Sequence, residues 1–466
     1  MTKDAQNEGG QSGMPISRRS FLRGAAYAAS AAILAACGGG GNAGGGANTN
    51  AGEATNSGSA NTSTGDNTNT SAPAQASGDQ IVITQWYHQY GEEGTQQAAQ
   101  RYADAYTKEN PKVKVNMVWV AGDYDSKLSA ALLTDEAPDV YEHALNLDFI
   151  NAGQVTPLDD LFTPDVKSDF TQQDLDAYTV DGKIYGVKMI DDTGLLYYKK
   201  SLLDKAGVKP PTTLDELGAA IKALSSGRVK GMFMGNDGGV GVLSSNILWS
   251  AGHEHLKNGQ VDFNNDDVVA AFQKAQQFVK AAGDGILVGA PTDWWDPSAF
   301  TQGLVAMQWT GLWAMPAIKK ALGDDFGIVA WPAIDSGKGK PATFWGGWGE
   351  MVNGKSKHID EAKAFVKWLW IDKKEFQKDW ALSYGFHVPP RKSVAAEAEP
   401  LKSGPPADAV KILYDDGHID PPQWTGAMGT AYSDAVTNML KNSADPKTEL
   451  ANAAQKVQAE LARQKS

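Results

Sequence analysis

The chain has 466 residues, one cysteine and a formal net charge of −13, from 55 acidic and 42 basic side chains. This length exceeds that of one ordinary domain, so two folded lobes are expected. The negative charge argues against binding to nucleic acid, and a single cysteine excludes an intramolecular disulfide.

The N-terminus carries an export signal. Residues 17–23, SRRSFLR, form a twin-arginine motif, and the apolar run 25–36 after it is too short to span a membrane. The sequence LAAC that ends at Cys37 resembles a bacterial lipobox. This resemblance implies that residues 1–36 are a signal peptide and that Cys37 is acylated as the first residue of the mature protein. The alternative is an unmodified cysteine behind an uncleaved anchor.

Residues 37–78 consist almost entirely of Gly, Asn, Ser, Thr and Ala. Such a composition cannot bury enough apolar surface to form a core. We predict a disordered tether, in which about 40 residues give a reach on the order of 35 Å. The tether would hold the folded part away from the membrane.

The folded part begins with alternating strands and helices. Strands are predicted over 81–87, 113–120 and 137–141, separated by helices over 91–110 and 124–133. This order predicts a parallel α/β lobe, in which ligands bind beyond the carboxyl ends of the strands. The candidate ligand-binding residues at those ends are Trp86, Tyr87, His88, Tyr124, Glu142, His143 and Asn146.

The stretch 181–217 is where the chain is predicted to leave this first lobe. Two short strands, IYGV and LLYY, flank a polar segment that holds Asp191 and Asp192. A short helix should then end at Gly207, and Thr213 with Glu216 forms a capping box for the next helix. A polar segment between two lobes lies where ligands usually bind.

The sequences DGKIYGV and LLYYKKSLLDKAGVKPPTTLDEL closely resemble those of bacterial extracellular solute-binding proteins of the sugar-binding kind, relatives of maltose-binding protein. Lys188 stands where the family usually has proline, and Tyr198-Lys199 where it usually has Tyr-Asn. The resemblance covers roughly residues 80–460. It implies an α/β, periplasmic-binding-protein-like fold, with two α/β lobes joined by a multi-strand hinge and a ligand cleft between them.

Two later segments carry the same resemblance. Residues 299–313, AFTQGLVAMQWTGLW, resemble a second family motif, which implies that Trp313 faces the ligand. Residues 344–349, FWGGWG, resemble the family's Gly-Gly segment, whose backbone lies close to the ligand. The candidates in and around these segments are Asn246, Trp249, Trp294, Trp295, Trp313, Trp345, Gly346, Gly347, Trp348, Arg391 and Trp424.

We expect the chain to pass between the lobes near residues 190, 333 and 387. The first lobe would then comprise 79–190 and 335–384, and the second lobe 191–332 and 388–466.

The chemistry of the candidate residues is mainly aromatic. An indole suits the apolar face of a pyranose ring, while carboxylates, amides and backbone groups suit its hydroxyls. The resemblance implies that Asp192 accepts such hydroxyls. Adjacent carboxylates on an extended segment point in opposite directions, so Asp191 and Asp192 form a poor glycosidase pair. The sequence shows no catalytic triad spacing and no metal-ligand cluster, so no cofactor or metal is expected.

These observations predict a monomeric, lipid-anchored lipoprotein that captures a mono- or oligosaccharide by hinge closure. It would deliver the sugar to the permease subunits of an ATP-driven ABC importer. Three alternatives stay open. They are a binding protein for a non-sugar solute such as a polyamine or peptide, a secreted glycoside hydrolase, and a sensor that presents its ligand to a receptor.

Overall fold

The structure is a computed structural model that describes residues 80–90 and 92–464. The predicted export motif, Cys37 and the predicted tether lie outside these residues. In the described part of the chain, no helix combines the length and the apolar character that crossing a membrane requires.

The first lobe is built on a five-stranded mixed sheet. Its first three strands in space are parallel, and the fourth runs antiparallel to both of its neighbours. In spatial order the strands are Val113–Val120, Ile81–His88, Val140–His143, Gly349–Val352 and Val187–Lys188. A separate hairpin pairs Thr179–Val180 with Lys183–Ile184.

Helices cover both faces of this sheet. The α-helices are Thr95–Glu109, Tyr124–Ala131, Leu147–Asn151, Pro164–Asp169, Gln172–Ala177, Ile359–Lys367 and Lys374–Leu382. A 3₁₀ turn spans Asp159–Leu161 and a π-helical turn spans Trp368–Asp372. Trp370 and Trp380 are fully buried in the core that these helices form with the sheet.

The second lobe is built on a seven-stranded mixed sheet. In spatial order its strands are Ile286–Leu287, Lys230–Phe233, Val305–Gly311, Asp192–Tyr198, Thr343–Gly346 and Gly417–His418, and Gly327–Val329 also pairs with Asp192–Tyr198. A separate hairpin pairs Leu256–Lys257 with Gln260–Val261.

The remaining helices pack mainly on the second sheet. They are Lys200–Ala206, Leu214–Leu224, Val240–Ser250, Asp266–Ala282, Ser298–Thr301, Met315–Leu322, Lys392–Ala395, Gly404–Asp416, Gly426–Asn442 and Pro446–Gln464. The 3₁₀ turns are Gly283–Gly285, Leu312–Ala314 and Glu399–Leu401.

The helix signals after residue 198 are confirmed. Gly207 ends the first helix with φ +66°. The Thr213 hydroxyl accepts the Glu216 N–H at 3.2 Å, while the Glu216 carboxylate accepts the Thr212 N–H at 2.8 Å. The reciprocal bond of this cap therefore falls one residue earlier than in a standard capping box.

The chain crosses between the lobes in three segments that lie side by side. These are called the first passage (at Asp191), the middle passage (at Trp348) and the third passage (at Val388). Asp191 and Val388 form an antiparallel bridge, with both N–H···O distances at 2.8 Å. The Met189 N–H donates to the Trp348 carbonyl at 2.9 Å, which brings the middle passage alongside. The multi-strand hinge expected from the sequence is therefore present.

The position expected for the middle passage, near residue 333, is wrong. Strand Thr343–Gly346 still belongs to the second sheet, because Trp345 and Gly346 pair with Thr193 and Asp192. The first sheet is entered only at Gly349. Residues 335–346 therefore belong to the second lobe and not the first.

Candidate functional site

The carboxyl ends of the first-lobe strands hold a group of aromatic and titratable side chains, here called the His88 cluster: His88, Tyr90, Tyr124, Glu142, His143 and Trp348. The His88 ring lies 4.0 Å from the Tyr90 ring and 5.1 Å from the Trp348 ring, centroid to centroid. His143 lies 5.5 Å from the same indole. The predicted strand-end residues His88, Tyr124, Glu142 and His143 are thus brought together, with Trp348 arriving from the middle passage.

Glu142 is the centre of this cluster and has no exposed surface. Its carboxylate accepts the His88 backbone N–H at 2.6 Å, His88 Nδ1–H at 2.5 Å and the Tyr90 hydroxyl at 2.7 Å. Three donors therefore converge on this one buried carboxylate. Against the opposing effect of burial, the Glu142 charge and hydrogen bond raise the pKa of His88.

A second buried carboxyl lies directly opposite the first. Glu350 pairs with Glu142 across the antiparallel strands, so both side chains share one face of the sheet. Burial, and next the Glu142 charge, raise the pKa of Glu350 to about 8. Glu350 is therefore mostly protonated at neutral pH, with the Gln85 amide as its hydrogen-bond partner.

The second lobe holds another aromatic group, the Trp313 cluster: Trp294, Trp295, Trp313 and Phe344. The Trp313 indole N–H donates to the Trp295 carbonyl at 2.9 Å, and its ring stacks on Phe344 with centroids 6.3 Å apart. A Cβ on Gly311 would lie 2.0 Å from the Trp313 ring. Glycine at 311 therefore lets the indole fold back over the end of its own strand.

A third group, the Trp249 cluster, contains Trp249, His255, His418 and Trp424. Trp249 stacks on His418 with an interplanar angle of 6°, and Trp424 stacks on His255 at 4.6 Å. His255 Nδ1 lies 2.8 Å from Asp420, and His418 Nδ1 lies 2.7 Å from Glu254. These carboxylates fix the ring that each indole stacks on.

The two hinge aspartates are both buried but have different partners. Asp191 accepts the Trp345 indole N–H at 3.1 Å and lies 3.3 Å from Lys188 Nζ. Lys188 also donates to the Gly346 carbonyl at 2.8 Å. Burial, followed by the nearby Asp174 charge, raises the pKa of Asp191 despite Lys188.

Asp192 pairs with a residue of the third passage. Its carboxylate lies 2.7 Å from His387 Nδ1, and both side chains are almost fully buried. The Asp192 charge and hydrogen bond raise the pKa of His387 against the lowering effect of burial. The candidate hydroxyl acceptor is thus already bound to a histidine.

Gly347 sits where two passages touch. Its φ is +91°, and a Cβ there would lie 2.1 Å from the Ile190 carbonyl oxygen. A side chain is excluded by conformation and by space, so the close approach expected at Gly346 and Gly347 is an approach of two backbones within the hinge.

The lobes also touch away from the hinge. The Leu147 N–H, next to the His88 cluster, donates to the Pro422 carbonyl at 2.9 Å, next to Trp424. Asp148 lies 3.2 Å from Arg463 of the last helix. The loops that follow His143 and His418 therefore meet across the two lobes.

Several predicted site residues are placed elsewhere. Tyr87 is fully buried and stacks on Trp119 in the first-lobe core, because alternation along the strand turns it away from His88. Arg391 is also buried; it pairs with Asp169 at 2.8 Å and donates to the Ile371 carbonyl, so it does not span the cleft.

Two candidate asparagines have structural partners. Asn146 caps the helix Leu147–Asn151 and accepts the Asp148 and Phe149 N–H groups. Asn246 is buried within its helix and donates to the Val242 carbonyl at 2.9 Å, although its side-chain oxygen has no hydrogen-bond partner among the described residues. Trp86 is half-buried at the end of its strand.

Sequence reasoning missed several residues of these clusters and of the neighbouring Glu142–Glu350 and Asp192–His387 pairs. They are Tyr90, His255, Phe344, Glu350, His387 and His418. Strand alternation could have flagged Glu350 as a carboxyl on a buried strand, but its pairing with Glu142 depends on register. Within the described residues, no group of three or more His, Cys, Asp or Glu side chains is arranged to hold a metal ion.

The family model for bacterial extracellular solute-binding proteins matches residues 101–408, which is more than half of the chain. The chain belongs to this family. Members of the solute-binding family are binding proteins that act outside the cytoplasm, and their two-lobed fold agrees with the two sheets and three passages described above.

Named relatives extend the comparison. The multiple sugar-binding protein of Streptococcus mutans is 22% identical over 393 residues, covering 79% of this chain and 88% of that protein. The arabinooligosaccharide-binding protein of Bacillus subtilis is 27% identical over 289 residues, covering 58% of this chain and 65% of that protein.

A solved structure has the same fold. The GacH receptor of Streptomyces glaucescens, solved unliganded and with acarbose, superposes with a TM-score of 0.70 at 25% identity. The match covers 82% of this chain and 98% of that receptor.

Proposed function

We propose that this solute-binding protein captures a carbohydrate and delivers it to the membrane subunits of an ABC importer. The observation that carries the proposal is the set of three aromatic clusters around Trp348, Trp313 and Trp424, of which the first and the third also contain carboxylates or imidazoles. Flat indoles next to carboxylates and imidazoles match the apolar faces and the hydroxyls of sugar rings. Sugar-binding names among the relatives support the same class of ligand.

A thermal-shift screen tests this proposal. Neutral mono- and oligosaccharides, a polyamine and a short peptide would be added separately to the full chain. Because binding to the native state raises the melting temperature, a sugar should raise it and the polyamine and peptide should not. Stabilisation by the polyamine or peptide alone would instead favour the non-sugar alternative.

The proposal includes membrane attachment. The twin-arginine motif and the lipobox support acylation of Cys37, with the Gly- and Asn-rich segment as a tether. Two or more acyl chains are needed for stable anchoring. A permease and an ATPase on separate chains would then receive the sugar from a tethered monomer.

The proposal also includes the absence of catalysis. Glu142 and Glu350 are paired carboxyls that could suggest an acid and a base, but both are fully buried and hydrogen-bonded within their own lobe. Incubating the pure protein with oligosaccharides and measuring reducing ends would expose a hydrolase. Release of reducing ends at enzyme-like rates would contradict the binding-only role.

A sensor role is distinguished from transport by deleting the gene. Loss of sugar uptake indicates transport, and unchanged uptake favours the sensor.

A further inference from the structure

We propose that His88 is the hydrogen-bond donor with which the first lobe recognises an uncharged acceptor oxygen of the solute, and that solute binding is coupled to the protonation of His88. This inference rests on the proposed function, since it names a feature of the sugar that the cleft selects.

The orientation of the His88 ring is fixed from one side. Glu142 is fully buried and accepts both the backbone N–H and Nδ1–H of His88. Its other oxygen accepts the Tyr90 hydroxyl. All three groups are donors, so Glu142 holds a proton on Nδ1 of His88 in either charge state of the ring.

The other ring nitrogen is left for a ligand. Among the described residues, Nε2 of His88 has no hydrogen-bond partner, and about a quarter of the side chain, 26%, is exposed. The ring centroid lies 4.0 Å from that of Tyr90 and 5.1 Å from that of Trp348, so the partly exposed imidazole is next to an indole. A donor next to an aromatic face is the pair of groups that a sugar ring requires.

The charge on the ring decides what Nε2 does. Because Nδ1 carries its proton in both states, Nε2 donates when the ring is charged and only accepts when the ring is neutral. An ether oxygen of a ring or glycosidic bond accepts hydrogen bonds but cannot donate them. Such an oxygen is recognised only by charged His88.

The surrounding charges favour the donor state and disfavour anionic solutes. Burial lowers the pKa of His88, but three nearby carboxylates raise it. They are Glu142 on the paired strand, Glu92 in the following loop and Asp125 in the helix Tyr124–Ala131. His143 is bonded to Asp125 at 3.2 Å, and Tyr124 donates to the Glu142 backbone. Glu350 lies behind Glu142 and is mostly neutral at pH 7.

Three carboxylates thus face one imidazolium. A carboxylate on the solute would meet net negative charge, so a neutral sugar should bind better than an acidic one of the same length. The inferred ligand is therefore a neutral oligosaccharide that offers a ring or glycosidic ether oxygen to Nε2.

The first test needs no solute. The full chain with ¹⁵N-labelled histidine is titrated by NMR, and the variant His88→Gln identifies the His88 signals among the seven histidines. We expect Nδ1 to stay protonated throughout and Nε2 to titrate above the ordinary value of about 6.5. The variant Glu142→Gln should lower that midpoint. Titration of His88 at or below the ordinary value overturns the inference.

The second test measures binding. Maltotriose, mannotriose, an arabinotriose and the acidic trigalacturonate are titrated by calorimetry from pH 6 to pH 9. For a neutral sugar that binds, the Kd should rise by up to about tenfold per pH unit above the His88 midpoint, with proton uptake on binding. The variant His88→Gln keeps an N–H donor but has no titrating group, so its Kd should be flat with pH.

The outcomes separate this inference from the proposed function. A wild-type Kd that is flat with pH, or tighter binding of trigalacturonate than of every neutral sugar, overturns the role of His88 and leaves sugar binding intact. If none of the four sugars binds and no sugar of the thermal-shift screen binds either, the proposed function fails, and with it the recognition role given to His88. Melting curves of both variants show whether they remain folded.

Discussion

At the scale of single residues, the fourteen tryptophans differ in what their indole N–H groups contact. The Trp313 N–H is held by a loop carbonyl and its ring stacks on Phe344, which is itself only half-buried. The Trp368 N–H is held by Glu109, and its ring packs on Tyr106 and Phe376 in the first-lobe core. One indole therefore lies at a lobe surface and the other in a core.

The variants Trp313→Ala and Trp368→Ala test this difference. Stacking on an aromatic ring is worth on the order of 1 kcal/mol beyond area burial, and the lost indole area adds to it. Trp313→Ala should therefore weaken sugar binding roughly ten- to a thousandfold, since ~1.4 kcal/mol is tenfold, with little change in melting temperature. Trp368→Ala should lower the free energy of unfolding by ~3–5 kcal/mol. Calorimetric titrations and melting curves of both variants check this; wild-type affinity in Trp313→Ala would contradict the assignment.

Glu350 makes stability depend on pH. Its folded pKa of about 8 is above the ordinary 4.5. The stabilisation that protonation of Glu350 contributes to the folded state is therefore fully present below pH ~4.5 and is lost as the pH rises through 8. Between these values the wild-type free energy of unfolding should fall by at most ~1.4 kcal/mol per pH unit from this group.

The variant Glu350→Gln removes that titration while keeping a polar partner for Gln85. In urea unfolding at pH 5, 6, 7 and 8, the free energy of unfolding of the variant should increase relative to that of the wild type at each step. The control is Glu375→Gln, a change at an exposed helical carboxylate, which should leave the wild-type pH profile unchanged in slope. Parallel profiles for wild type and Glu350→Gln would show that the buried carboxyl does not bind the extra proton.

At the scale of elements, the hinge depends on the contact of two passages at Gly347. The variant Gly347→Ala would place a Cβ 2.1 Å from the Ile190 carbonyl oxygen at a φ of +91°. Gly182→Ala is the matched control, because its φ of +76° is also left-handed while nothing lies within 4 Å of its Cβ. Gly182→Ala should lower the free energy of unfolding by about 1–2 kcal/mol. Gly347→Ala should lower it by clearly more. Equal losses in urea unfolding would show that the passages can separate without penalty.

The element order was predictable from sequence, and the pairing of elements was not. Strand and helix periodicity located Ile81–His88 and Val113–Val120, and polar residues at the ends of the first and third predicted strands pointed to His88 and Glu142. The sequence of this strand did not indicate which of Tyr87 and His88 faces the core, because that is set by what packs on each side of the sheet. Likewise, Thr343–Gly346 joins the second sheet through partners about 150 residues away, which no local pattern records.

At the scale of the whole molecule, the proposed lipid anchor predicts where the protein is found. The variant Cys37→Ser removes the proposed acylation site, which lies outside the folded lobes. The wild type should sediment with membranes, and the variant should appear in the soluble extracytoplasmic fraction. Fractionation with an antibody against the folded lobes measures this. Identical distributions would contradict acylation at Cys37.

The lobes themselves should close when a sugar binds. Away from the hinge, Leu147 meets Pro422, and Asp148 meets Arg463 with both side chains about half exposed. Exposed ion pairs contribute only ~0–1 kcal/mol, so these contacts are too weak to keep the lobes together alone. A sugar that touches both lobes adds the difference in free energy that favours the closed form.

Spin labels measure this movement in a Cys37→Ser chain, which has no other cysteine. Asn151→Cys on the first lobe and Ala427→Cys on the second lie at exposed positions beside the loops that meet. The distance between these labels should shorten and narrow on adding a sugar shown to bind. The control pair, Ala427→Cys and Lys411→Cys, lies within the second lobe and should give the same distance with and without sugar. If the first pair is also unchanged at saturation, binding does not proceed by hinge closure, and the three passages act as a rigid support.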